Sequence, residues 1–476
     1  MIGADRSRVQ AAGLLLALLG VAFLGFALIY MSLTPQTVLA IIVGAGMVFL
    51  LLISPVLSVH LFTGAVYAEN LVHGEGGLTV MKVVGVIIVF GWSVSVLTRR
   101  RLDLRWSPVL LFLLLFVGWS AISMLSAFDT SVALERVLTF AQLSLVVVMF
   151  ASVVNSVSRV RWVLRTIVGW TTLVSFHATT LYLLGFTDVA SGITQNRNGL
   201  GMFIAVAIVC AYILIQMNPD PRERLLLIGA LPILFMGLVL TFSRTGYLAL
   251  VVALFLVAYR LARTRGYVIL ATSVVMLALM VPLLPEAFYA RVGSILPAME
   301  TQDETVGLRV QRWKYAVRMI KDHPFVGVGP NNFVPALARY GRGEILEKQG
   351  LVVHNAYLNV GAEMGLVGLA LYLLMTGSAL REVNWIVRRF GRENRNLILV
   401  GNAVESALII MMIEGLTGNV EYLKFLYVLF GLSCSVGRLA MLESRTPSKT
   451  VGERMDTVAV RSDASMFPGT ISSQTS

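Results

Sequence analysis

The chain has 476 residues, of which 57% are hydrophobic and only 13% charged, with a net charge of +12. About a quarter of a soluble protein's residues are Asp, Glu, Lys or Arg, so this composition excludes a water-soluble globule. The positive balance does not point to nucleic acid either, because the basic residues are spread over short loops between apolar runs, the pattern of membrane topology determinants.

The first apolar run, Ala11–Met31, has the ~20-residue length that spans a ~30 Å hydrocarbon core. It is followed directly by a second run and lacks a clear small-residue cleavage site, so it reads as a span and not as a cleaved signal peptide. Run 36–72 is broken at Ser54-Pro55, where proline kinks or ends a helix. It reads either as two spans or as a re-entrant hairpin. From Leu78 onward the pattern predicts spans at roughly 78–97, 107–126, 137–154, 161–184, 199–217, 225–242, 246–260, 267–284, 356–380, 397–414 and 420–439. The expected fold is therefore an all-α integral membrane protein. It is a polytopic helical bundle of about twelve transmembrane helices, up to fourteen if the early run crosses twice. Residues 1–284 form an N-terminal transmembrane bundle, 285–355 a loop domain, 356–440 the C-terminal transmembrane helices and 441–476 a disordered tail rich in Ser, Thr and Asp. Cys210 and Cys434 sit inside apolar runs as packed core residues.

Orientation follows from the arginines. One set of loops carries Arg99, Arg100, Arg101 and Arg105, then Arg159, Arg161 and Arg165, then Arg222 and Arg224, then Arg260, Arg263 and Arg265, and finally Arg381, Arg388, Arg389, Arg392 and Arg395. The intervening short loops offer only Arg136, Arg197, Arg244 and Lys424. The positive-inside rule makes the first set cytoplasmic, together with both termini.

The long loop 285–353 lies on the other side, and loops of this length are usually functional or disordered. Here Asp303–Lys321 reads as an amphipathic helix with Val310, Trp313, Val317 and Ile320 as its apolar stripe. It should stop at His323-Pro324, after which Phe325–Phe333 has strong turn chemistry.

Ionisable groups near membrane-embedded segments are costly, so each needs a reason. Arg244 stands in the tight break Ser243-Arg244-Thr245-Gly246, either snorkelling to lipid headgroups or as a fixed cation aimed at an anion. Arg309 and Arg312, three apart on one helical face, suit a diphosphate clamp, with basic decoration as the plain alternative. His354 lies where the chain re-enters the membrane. A helix N-terminus disfavours its protonated form, and a neutral imidazole can take a proton from a hydroxyl. A capping histidine is the plain alternative. No metal-ligand spacing stands out, and the lack of a Walker-type loop argues against an ATP-driven pump.

Together these residues resemble the O-antigen ligase family, which includes O-antigen and exopolysaccharide polymerases. The match rests on Thr194-Gln195-Asn196-Arg197-Asn198-Gly199-Leu200-Gly201, on Ser243-Arg244-Thr245-Gly246, on Arg309-x-x-Arg312-Trp313-x-x-Ala316 followed by His323-Pro324-x-x-Gly327-x-Gly329, and on His354-Asn355-x-Tyr357-Leu358 with Glu363-x-Gly365-x-x-Gly368. It covers roughly 190–380 and reaches the remainder only by topology. The resemblance implies an inverting glycosyltransferase of GT-C-like architecture at the periplasmic face of the bacterial inner membrane. The donor would be an undecaprenyl-diphosphate-linked glycan and, in a ligase, the acceptor a lipid A core sugar. No cofactor or metal is implied. His354 would be the base, Arg244, Arg309 and Arg312 the diphosphate ligands, and Asn198, Asn355 and Tyr357 would shape the site. A polymerase using the same donor, a protein acceptor, a lipid-linked glycan flippase or transporter, and a structural scaffold are the competing readings.

Overall fold

Short polar side chains decide where the helices begin. Ser107, Asp129, Ser156, Asn196, Asp220, Asn355 and Asn394 each stand one residue before a helix and accept a hydrogen bond from one of its first backbone N–H groups. This satisfies donors that a helix leaves orphaned at its start. Apolar length then carries each helix through.

The structure, a computed structural model, describes residues 54–68, 80–99, 104–191, 196–217, 219–260, 304–340, 352–390 and 394–444, and a short helical piece at 268 and 271–275. The spans expected before Pro55, most of 267–284, much of the 285–355 loop and nearly all of the 441–476 tail lie outside the described residues. The described helices are α1 (Pro55–Ala65), α2 (Val80–Arg99), α3 (Pro108–Ser123), α4 (Thr130–Val153), α5 (Val157–Leu183), α6 (Arg197–Gln216), α7 (Pro221–Leu240), α8 (Arg244–Arg260), α9 (Glu304–Asp322), α10 (Phe333–Tyr340), α11 (Ala356–Arg381), α12 (Arg395–Glu414) and α13 (Lys424–Glu443). A π turn at Glu382–Ile386 extends α11 to Phe390. Pro55 opens α1 at the first helical position, where its missing N–H costs nothing.

Seven of these helices are long and apolar enough to cross a membrane. No strand occurs among the described residues. Large apolar side chains stand exposed on outer faces, such as Leu173 and Phe176 of α5, Leu225 and Leu226 of α7 and Phe255 of α8. Water tolerates such surfaces only in small patches, whereas lipid welcomes them. The chain is a helical membrane protein.

α6 is the hub, packed against α5, α7, α8 and α12, while α13 packs on α4 and α12, and α11 on α3. Both cysteines are buried and free. One end of the bundle gathers arginines with half-buried and buried acids. Arg165 grips Glu223 through Nε and Nη2 at 2.7 and 2.6 Å, Arg260 pairs with Glu405, and Arg105 lies 3.7 Å from Glu382. His354, the α7–α8 break and the described part of the long loop belong to the opposite end.

At that opposite end the turn after α9 packs on the start of α11. Gly365 interrupts α11 at φ 69°, and Gly327 faces it at φ 70°. The turn heals the interruption: Val328 N–H donates to Ala362, Gly329 N–H to Glu363, and Leu366 N–H to the Pro324 carbonyl. A Cβ on Gly365 would lie 2.1 Å from the Phe325 carbonyl oxygen, and one on Gly327 2.3 Å from the Glu363 carbonyl carbon. Strain of this kind alone costs about 1–3 kcal/mol. Gly365→Ala is expected to lower the melting temperature of the purified protein clearly, as read by scanning fluorimetry. Gly377→Ala on the same helix, where a Cβ meets nothing within 4 Å, should leave it level or raised.

Candidate active site

α9 runs from Glu304 to Asp322 and stops before His323-Pro324, in line with its sequence. Its buried face differs from the apolar stripe of the sequence. Ala316 and Met319 are fully buried, with Trp313 and Ile320 packed beside them, whereas Val310 and Val317 are each 39% exposed. A small residue at 316 lets α9 settle closely on α11, where Ile320 rests against Gly361. Arg309 and Arg312 lie two turns and one turn before Ala316, so helical phase places both residues on the docked side.

There Arg312 and its neighbour Trp313 meet the segment that leads into α11. Trp313 Nε1 donates to the Val353 carbonyl at 3.1 Å and Arg312 Nη1 to the Val352 carbonyl at 3.3 Å. His354 comes next, half-buried and on left-handed backbone at φ 55°. Burial, and after it the positive charges of Arg309 and Arg312, push the His354 imidazole down to about 4. Arg312 is itself lowered, by burial and then by its neighbour Arg309. Arg312 thus stands beside the His354 segment, and both guanidiniums lie within electrostatic reach of an imidazole held low.

The loop between α12 and α13 closes this place from the other side. Asn419 Oδ1 accepts the His354 N–H at 2.8 Å, Gly415 O accepts the Ala356 N–H at 2.8 Å, and Leu416 O accepts from Asn355 Nδ2 at 3.2 Å. Thr417 bonds Thr245 at 2.8 Å, which ties in the first turn of α8, where Arg244 stands exposed. Asn198 lies in the first turn of α6, at the same end, and Gly201 one turn on packs against Ser243. Asn355 caps α11 by accepting the Leu358 N–H at 2.9 Å, and Tyr357 donates its hydroxyl to Met412 O at 2.9 Å. Both side chains therefore fasten α11 to its neighbours.

Several groups here have no site role in the reading of the sequence. Glu363 accepts the Asn331 N–H at 2.8 Å and fixes the turn after α9. Arg136 of α4 donates to Asn331 Oδ1 at 2.7 Å and stacks 4.2 Å over Tyr422. Glu414 ends α12 with a buried Oε2 that has no hydrogen-bond partner among the described residues, within electrostatic reach of Arg309. Glu421 is buried in the same loop. The signal that could have found them is the cost of a carboxylate at the end of an apolar helix. No three of His, Cys, Asp and Glu gather among the described residues.

The arrangement can bind a dianion between guanidiniums and accept a proton beside it. A bound diphosphate would cancel the arginine charges, and His354 would then hold a proton more tightly than in the free protein. If His354 is the base, its neutral form must be present. The acid limb of kcat/KM, which reports the free enzyme, is expected near pH 4, and that of kcat at a higher pH. A rate measured against pH on both parameters checks this.

Residues 228–373 match the family model described as O-Antigen ligase, a stretch that holds Arg244, Arg309, Arg312 and His354. No curated protein matches the chain.

Proposed function

We propose that this chain, which carries the O-antigen ligase family region at residues 228–373, moves a glycan from undecaprenyl diphosphate onto a sugar hydroxyl of the lipid A core. The reaction takes place at the periplasmic face of the bacterial inner membrane, in a GT-C-like bundle with both termini in the cytoplasm. The observation that carries this reading is the meeting of His354 with Arg309 and Arg312 inside the matched region.

The acceptor oxygen attacks the anomeric carbon on the face opposite the diphosphate, and its proton passes to the His354 imidazole. The carbon–oxygen bond to the diphosphate breaks, the electron pair leaves with undecaprenyl diphosphate, and the configuration inverts. Negative charge grows on the leaving group, so fixed arginines stabilise the transition state more than the ground state. Arg309 and Arg312 supply that charge, with Arg244 reaching the diphosphate from the α7–α8 break. This arrangement calls for no metal. An imidazolium beside two guanidiniums then gives up its proton readily to water. The prenyl tail lies along apolar helix faces, where lipid-like surface costs nothing.

Expression in a strain lacking its own ligase tests the reading. Long glycan on lipid A core, formed equally in the presence of EDTA, supports it. Lengthened glycan still on its prenyl carrier makes the protein a polymerase instead, and no change in either pool returns the question to a flippase or scaffold.

A further inference from the structure

His354 holds left-handed backbone, which a residue with a Cβ keeps only where its surroundings impose it. A short relay of hydrogen bonds reaches its backbone N–H. The His354 N–H donates to Asn419 Oδ1 at 2.8 Å, Asn419 Nδ2 donates to Glu421 Oε1 at 3.1 Å, and Asn359 Nδ2 from the first turn of α11 donates to the same oxygen at 2.7 Å. A backbone N–H only donates, so it takes Asn419 Oδ1 as its acceptor and leaves Nδ2, the donor side of the amide, to Glu421. Glu421 is itself anchored. Its side chain is buried, its carbonyl accepts the hydroxyl of the buried Tyr427 at 3.0 Å, and Arg136 covers the adjoining Tyr422 ring.

We propose that Glu421 and Asn419 are positioning residues for the reaction: the Glu421 carboxyl orients the Asn419 amide, and that amide holds His354 in the left-handed backbone conformation from which its imidazole works. The inference rests on the transfer reaction proposed above for its kinetic consequence, and on the hydrogen bonds alone for its geometry. It extends the site beyond the matched region, to a loop that touches substrate nowhere in the scheme. Burial pushes the Glu421 carboxyl up to about 7, so a neutral side chain with an oxygen in the same place is tolerated there. Asp at 419 is isosteric with Asn but has no N–H to offer Glu421.

The test combines kinetics with histidine-labelled protein in nanodiscs, the His354 amide signal being the one of five that vanishes in His354→Asn. Asn419→Ala, Asn419→Asp and Glu421→Leu are expected to shift that signal and to lower kcat about 10- to 100-fold, since small misplacement of a reacting group costs up to ~10²-fold. KM for the donor should stay close to wild type, because the arginines are untouched. Glu421→Gln should recover most of what Glu421→Leu loses, in both the signal and kcat. An unmoved His354 signal in Asn419→Ala, or wild-type kcat in Asn419→Asp, overturns the proposal. If the signal moves as expected while the wild-type protein transfers no glycan, the geometry stands and the transfer reading falls.

Discussion

Replacing His354 by Ala is expected to lower kcat for glycan transfer about 10²- to 10⁴-fold, the range by which a positioned general base accelerates proton transfer. The imidazole is held neutral by burial and by two flanking guanidiniums, and in that state it can accept the acceptor hydroxyl's proton. The substitution also touches the backbone, because position 354 is left-handed at φ 55°. Asn tolerates that conformation better than most residues with a side chain. His354→Asn therefore separates chemistry from folding: its melting temperature should match wild type while its transfer rate falls as far as that of His354→Ala. Equal loss in both variants, at equal membrane levels, assigns the effect to the imidazole. A His354→Asn variant with wild-type kcat would remove the base from the scheme.

The second large effect is expected at the arginine pair. Removing one preorganised donor from a developing charge costs about 10²–10³ in kcat. Arg309→Ala should fall in that range, and the Arg309→Ala/Arg312→Ala double variant further. Lys should rescue Arg309 poorly, since an ammonium does not reproduce the planar fork that grips two phosphate oxygens. The variant also carries a signature that lost folding cannot imitate. Arg309 is one of the charges that depress His354. Taking it away raises the imidazole's proton affinity, so the acid limb of kcat/KM moves to higher pH. A limb that stays where it is would separate Arg309 from His354.

The seven helices long and apolar enough to cross a membrane were legible because length and apolarity are local properties. Their starts can lie several residues from the hydropathy edge, as at Thr130, because Asp129 caps the helix ahead of the apolar stretch. α9 was legible in extent but not in face, since large aliphatics draw the eye while close packing against α11 selects Ala316. The arginine pair and His354 stood out because charge or imidazole at a membrane boundary needs a reason. Asn359, Asn419 and Glu421 did not. They come from two segments that meet only when the α12–α13 loop folds over the start of α11, and no spacing in the sequence records that meeting. Glu363 likewise gains its meaning from Asn331, on a separate turn.

The most direct measurement of the central claim uses the full chain in nanodiscs with an undecaprenyl-diphosphate-linked glycan and a lipid A core acceptor, following carrier release and acceptor mass together. The account predicts one released undecaprenyl diphosphate for each glycan joined to the acceptor, with inverted configuration at the new bond, and loss of both in His354→Asn. Carrier release that proceeds at the wild-type rate in His354→Asn, or a product that retains configuration, would contradict it.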